Sequence, residues 1–269
     1  MRAGRPAGSG AWRRRVPAAP LVALAMLAPS VAVAREAGWT IERWRWAGAA
    51  GARIAIESAH GDVRVRGAAT DEVEVTAVLQ HAEGDPLRLE VRVDDSGPTL
   101  RIGVAAGAAG GGETVETAEM RRRRADLVVM VPSGVPLLVR TVDGRLEVKG
   151  LVAAVDAASR GGAIVLQVGG EVHARSEWGA VEVVLEAGAG PRPATIETLT
   201  GDVLVWLPRE ADVTATVESR GEITTDYSLA IERDPLDDRL KRATARIGAG
   251  GIPLHVQSNR GNVRLLRSP

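Results

Sequence analysis

The 269-residue chain has no cysteine, which excludes a disulfide scaffold, a cysteine-ligated zinc site, a thiol nucleophile and lipid attachment through an N-terminal cysteine. Phenylalanine is also absent, tyrosine occurs once, and 2 lysines stand against 32 arginines, a bias that reads as genomic base composition rather than function. Charge of either sign is not in excess, with 34 basic and 34 acidic residues, so the chain lacks the electrostatic footprint of a nucleic-acid binder. What is present is a 45% hydrophobic and 25% charged composition. That excludes disorder of the whole chain and suffices for one large or two ordinary domains.

The first 34 residues read as a cleaved signal peptide. Arg2, Arg5 and Arg13 to Arg15 form a basic leader, residues 16–28 are an uncharged apolar stretch of 13, and Ala32-Val33-Ala34 gives the small-x-small pattern that signal peptidase accepts. A membrane span needs roughly 20 apolar residues, so the stretch is too short to be an anchor. Cleavage after Ala34 would leave 29 basic and 34 acidic residues, a net charge of −5, in an exported chain with no integral membrane span.

From residue 35 onward a phrase recurs: an apolar residue, one variable residue, Ser or Thr, two variable residues, Gly, then a short alternating segment. Its central glycines are Gly61, Gly144, Gly162, Gly179, Gly201, Gly221 and Gly261, the copy at Gly221 lacking one residue. Of the fourteen positions two and four residues after these glycines, thirteen are Val, Ile or Leu, and Thr225 is the exception. The residue between is Arg64, Glu147, Val165, Glu182, Leu204, Thr224 or Arg264. Period two describes a strand with one face inward, and a helix cannot satisfy it. Spacings of 18, 17, 22 and 20 residues, then 40, predict a β-solenoid whose coils bury their inner faces by stacking. The glycines are expected at corners with positive φ, and the Ser and Thr residues are expected to stack and bond the turns. Residues 132–269 hold the regular coils. Residues 35–131 form a less regular β portion, with strands at 71–79, 87–93, 99–104 and 127–131 and an exposed loop beyond residue 104. Residues 228–246 read as a polar insertion with helical character.

Val131-Pro132-Ser133-Gly134, the phrase from Val139 to Gly144, Gly201-Asp202-Val203, Gly221-Glu222-Ile223, the turn Gly248-Ala249-Gly250-Gly251 and the closing Asn259-Arg260-Gly261-Asn262-Val263 together resemble the bacterial envelope domain known as the putative adhesin domain. The resemblance covers residues 50–267. It implies an all-β, right-handed parallel β-solenoid in an exported protein of generally unassigned activity. The family has no catalytic motif, so no functional residue carries over. The arm at 84–124 and the deletion before Gly221 depart from its regular spacing and leave the number of coils open.

Chemistry-bearing motifs are sparse. His60, His81, His173 and His255 have no metal-ligand spacing. The glycine-rich turn at 248–251 precedes a strand rather than the helix that a phosphate cradle needs. Asp62 and Asp202 are isolated, unlike the acidic repeats of calcium-binding solenoids. The Arg121–Arg124 run reads as a solvated loop tip that could meet an anionic head group or polysaccharide. Glu147 and Glu182 hold the same outward position two coils apart, about 9.6 Å, near the upper limit for an inverting glycosidase pair, with Val165 between them. Trp44, Trp46 and Trp206 are candidate sugar or protein contacts, or packing under a capping loop. No catalytic, cofactor or metal residue is expected. The reading is a non-enzymatic envelope or surface interaction module in the periplasm or outside the cell, taking an envelope protein or glycan as partner. The alternative is a polysaccharide-active enzyme using Glu147 and Glu182.

Overall fold

The computed structural model describes residues 30–36, 39–82, 87–108, 123–187 and 192–269. Among them are 22 strands and no helix, arranged as two mixed sheets of eleven strands each. The regular part alternates between the sheets. Strands β9 (Leu137–Asp143), β11 (Val155–Ser159), β13 (Val172–Ser176) and β15 (Ala194–Thr198) are parallel neighbours in sheet B. Strands β10 (Leu146–Leu151), β12 (Ile164–Val168), β14 (Val181–Leu185) and β16 (Val203–Leu207) are parallel neighbours in sheet A. Each repeated phrase is the step from sheet B to sheet A: Ser or Thr closes the first strand, Gly makes the turn, and the apolar pair opens the second.

The alternation read from sequence is the alternation of burial. Leu146, Val148, Ile164, Leu166, Val181, Val183, Val203 and Val205 face inward at 1% exposure or less. They meet Val155, Ala157, Val172, Ala174, Ala194 and Ile196 from sheet B, three of them alanines. Parallel strands with little local contact depend on this shared core for stability.

The glycines are required by close approach more than by backbone sign. Among the seven central glycines, only Gly61 (φ 122°) and Gly144 (φ 117°) lie in the left-handed region, which corrects the expectation of positive φ at every corner. A Cβ on Gly144, Gly162, Gly179, Gly201 or Gly261 would come within 3.0 Å of the backbone carbonyl oxygen of the glycine stacked before it. The turns therefore form a column, Gly61, Gly144, Gly162, Gly179, Gly201, Gly261, Gly221, too tight for any side chain. Five of the seven Ser and Thr residues close it as expected, while Thr141 donates to the carbonyl of Asp143 (3.2 Å) and the buried Ser58 hydroxyl makes no hydrogen bond among the described residues. Gly162, Gly179, Gly201 and Gly261 donate their N–H groups to Ser159 (2.9 Å), Ser176 (2.8 Å), Thr198 (3.0 Å) and Ser258 (2.9 Å). The hydroxyls of Ser219 and Ser258 donate onward to the carbonyls of Gly261 (2.8 Å) and Gly201 (2.9 Å).

The column order departs from chain order at the C-terminus. Strands β17 (Val213–Ser219) and β18 (Ile223–Thr225) do not pack on β15 and β16. Strands β21 (Ile252–Ser258) and β22 (Val263–Arg267) lie between, so the last strand pair fills a place that the previous one left open. The segment expected to be helical is instead the hairpin β19 (Ala230–Asp234) and β20 (Asp237–Ile247), with β20 antiparallel to β17. Its inward Ala243, Ala245 and Ile247 are buried, a period of two that local polarity had obscured.

The less regular N-terminal portion joins the same two sheets. Strands β3 (Arg53–His60) and β4 (Val63–Ala68) stack on β9 and β10. Beyond them lie β7 (Thr99–Ala108) and β8 (Arg124–Pro132). The end is finished by antiparallel strands: β5 (Glu72–Ala82), β2 (Trp39–Ala49) and β1 (Ser30–Glu36) extend sheet A, and β6 (Leu87–Asp94) extends sheet B. Residues 1–29 of the expected signal peptide lie outside the described residues. The cleavage point after Ala34 falls within β1. No helix of the described residues is long and apolar enough to cross a membrane.

Candidate binding face

The expected acidic pair is brought into register. Glu147 pairs with Val165 and Val165 with Glu182, on the outer face of sheet A. Their surroundings differ. Glu147 Oε1 accepts from Arg66 at 2.7 Å and is ion-paired with Lys149 at 2.9 Å. The Lys149 ammonium, foremost, and Arg66 beside it hold the Glu147 carboxyl below its ordinary range in spite of partial burial. A glycosidase acid must hold its proton near neutral pH, and this environment acts in the opposite direction. Glu182 faces Leu204 and has no hydrogen bond or ion pair among the described residues. Around it Val165, Val184, Leu204, Trp206 and Leu266 are half-buried on the same outer face, which accounts for Trp206. Trp44 and Trp46 pack against the core.

The isolated aspartates serve the stack. Asp202 Oδ1 accepts the N–H of Asn262 (2.7 Å), and Asn262 Oδ1 accepts that of Glu222 (2.8 Å). Asp62 Oδ1 likewise accepts the N–H of Arg145 (3.0 Å) and pairs with Arg124 at 3.0 Å. In the arginine run, Arg121 and Arg122 lie outside the described residues. Arg123 is 3% exposed and Arg124 is bound to Asp62 and Asp126, so this half of the run is not a free loop tip. Among the described residues no three His, Asp or Glu side chains are grouped to hold a metal.

Sheet B carries the more open arrangement. Its outward residues form a grid: Arg140 on β9, Asp156 and Ala158 on β11, His173 and Arg175 on β13, Thr195 and Glu197 on β15. Ala158 is directly beside both Arg140 and Arg175, and its small side chain leaves a trough of about 350 Å³ lined by all seven. Strand spacing puts the two arginine backbones about 9.6 Å apart across it. Arg175 donates through Nε and Nη2 to one oxygen of Glu197 at 3.0 and 2.7 Å, which leaves its other donors exposed. His173 Nε2 lies 3.1 Å from Glu171. Arg140 and Asp156 have no ion pair or side-chain hydrogen bond among the described residues. At the end of the trough β11 and β13 turn into the glycine column. There Trp178 is 55% exposed with the Arg160 guanidinium 5.3 Å from its ring centre, and Leu199 is 45% exposed on the next coil.

Trp178 and the trough are absent from the residues singled out by sequence reasoning. The available signal for Trp178 was its place immediately before Gly179, a corner position outside the inward pattern. Nothing local marks Ala158, because its importance comes from its neighbours on two other strands.

A second cleft of about 280 Å³, between Gly169, Gly170, Leu207, Pro208 and Ile252, includes Asp212, whose carboxylate accepts the Ala249 N–H at 2.6 Å. That acid is committed to holding the turn before β21.

No protein-family model matches the chain, and no curated protein matches it in sequence. Among solved structures, a putative cell adhesion protein from Clostridium sporogenes superimposes with a TM-score of 0.45 at 8% identity, covering 83% of this chain and 99% of the other. A putative adhesin from Bacteroides fragilis gives a TM-score of 0.40 at 10% identity, covering 85% and 97%. One from Parabacteroides merdae gives 0.21 at 10% identity, covering 85% and 96%.

Proposed function

We propose that this chain is an exported, non-enzymatic interaction module of the bacterial envelope, built as a right-handed parallel β-solenoid and working through its lateral faces as an adhesin-like binder or sensing scaffold. Strands that alternate between two sheets and return parallel to their predecessors are the elements of a solenoid. A crossover between parallel strands of one sheet is right-handed in about 98% of cases.

The observation that carries the reading is the outer face of sheet B. Arg140 and Asp156 stand unpaired around Ala158, and a solvent-exposed Trp178 follows β13 at the turn. A fixed array of charged and aromatic side chains on rigid strands suits recognition, whereas catalysis needs a convergent acid, base and charge-stabilising group.

Export rests on residues 1–34. With the leader removed, the module would reside in the periplasm or outside the cell and engage an envelope protein or glycan. The test is incubation of purified protein with envelope and plant polysaccharides. No reducing sugar or unsaturated product should be released. Turnover that vanished in both Glu147→Gln and Glu182→Gln would overturn the reading in favour of the hydrolase.

A further inference from the structure

We propose that the trough over Ala158 binds a carboxylate-bearing sugar unit of an acidic polysaccharide, a ligand class that specifies, and rests on, the interaction-module reading.

The geometry divides into three contributions. Arg140 and Arg175 flank Ala158 from adjacent strands, so both guanidinia can swing over the same methyl group, and no larger side chain occupies the space between them. Guanidinium forks match planar carboxylates, and a carboxylate placed there receives charge-assisted hydrogen bonds from both sides. Asp156, His173 and Thr195 lie one outward position back along the same strands, offering an acceptor, a ring nitrogen and a hydroxyl to sugar hydroxyls. Trp178, with Arg160 over one face of its ring, follows β13 at the turn and offers its exposed surface to the apolar face of a pyranose.

Other ligand classes fit less well. A peptide would need either an apolar pocket for an anchoring side chain or an unpaired strand edge. The trough is lined by charged and polar groups, and β11 is paired on both sides. A dense polyanion such as nucleic acid would meet Asp156, Glu171, Glu177 and Glu197 as well as the arginines. A saccharide meets the two guanidinia with a carboxylate and the neighbouring row of Asp156, His173 and Thr195 with uncharged hydroxyls.

The experiment is calorimetric titration of the purified protein with oligogalacturonate of about six units, its fully methyl-esterified form, and a neutral oligosaccharide of equal length. The acidic chain should bind, and esterification should weaken it at least tenfold, as should Arg140→Gln, by loss of one charge-assisted pair. Ala158→Gln should fill the trough and abolish binding, while Trp178→Ala should weaken the acidic and esterified chains alike. Lys149→Gln, on the opposite sheet, should bind as wild type. Melting temperatures of Arg140→Gln and Ala158→Gln within a few degrees of wild type would tie their losses to the trough. The inference is overturned if no acidic saccharide binds, if the esterified and neutral chains bind equally well, or if Ala158→Gln leaves affinity unchanged. Those results would leave the broader reading standing. That reading fails separately, on recovery of an intact Met1 chain from the cytoplasm.

Discussion

Replacing Gly179 by alanine tests whether the turns are stacked as tightly as the structure shows. The added methyl carbon would fall within 3.0 Å of the Gly162 carbonyl oxygen, which belongs to the backbone and has no flexible side chain to yield. The two coils must move apart. Three hydrogen bonds then come under strain: Trp178 N–H to Arg160 O (2.9 Å), Gly179 N–H to Ser176 Oγ (2.8 Å) and Thr198 Oγ1 to Gly179 O (3.4 Å). At about 1 kcal/mol net for each bond, and more where a buried partner is left unsatisfied, the cost is roughly 2–4 kcal/mol. A domain of this size loses about 2–4 °C of Tm per kcal/mol, so calorimetry should show a drop of roughly 5–15 °C. Gly134→Ala is the control, because a methyl there meets nothing within 4 Å and the backbone is not left-handed. Its change should stay within about 0.5 kcal/mol and can be slightly stabilising. Equal Tm values for the two variants would refute the close-stacked column.

The in/out register is tested by neighbours on β14: Val183→Asp, at 0% exposure, should cost about 3 kcal/mol or more in urea unfolding, and Glu182→Ala less than about 0.5. Glu147 links stability to acid. Its carboxyl is lowered in the folded protein, so its contribution is complete above pH 4.5, the ordinary value, and is lost as pH falls through the lowered one. Glu147→Gln should flatten that part of the pH–stability curve, and an unchanged acid limb would show that Lys149 and Arg66 do not stabilise its charge. Mass spectrometry of exported protein should place the N-terminus at Arg35, leaving only Arg35 and Glu36 of β1.

The strands could be read locally because a strand that buries one face repeats its chemistry every second residue. Val63, Leu146, Ile164, Val181, Val203 and Val263 were placed inward on that ground, and each is buried to 1% exposure or less. Ser159, Ser176, Thr198 and Ser258 were legible as turn partners because the glycine they bond is only three residues away. Asp62 and Asp202 looked isolated, since their partners are N–H groups of residues 83 and 60 positions distant in the chain. The β19–β20 hairpin was missed because its outward residues are charged and its inward ones include two alanines, a weak apolar signal that pairing with β17 makes unambiguous.

The sequence by itself determined the strand period and the inward face of each repeat, since both depend on residues within one phrase, whereas the need for glycine at each turn comes from the carbonyl of the turn stacked beside it. Coil order was left undetermined by that information, because copies with the same pattern can stack on one another equally well. Only the tertiary structure decided that the coil of β21 and β22 enters between two earlier ones, where pairing of β20 with β17 had left an opening. It also decided the candidate site. Arg140, Ala158 and Arg175 are 18 and 17 residues apart in the chain and become neighbours only when three parallel strands align in register.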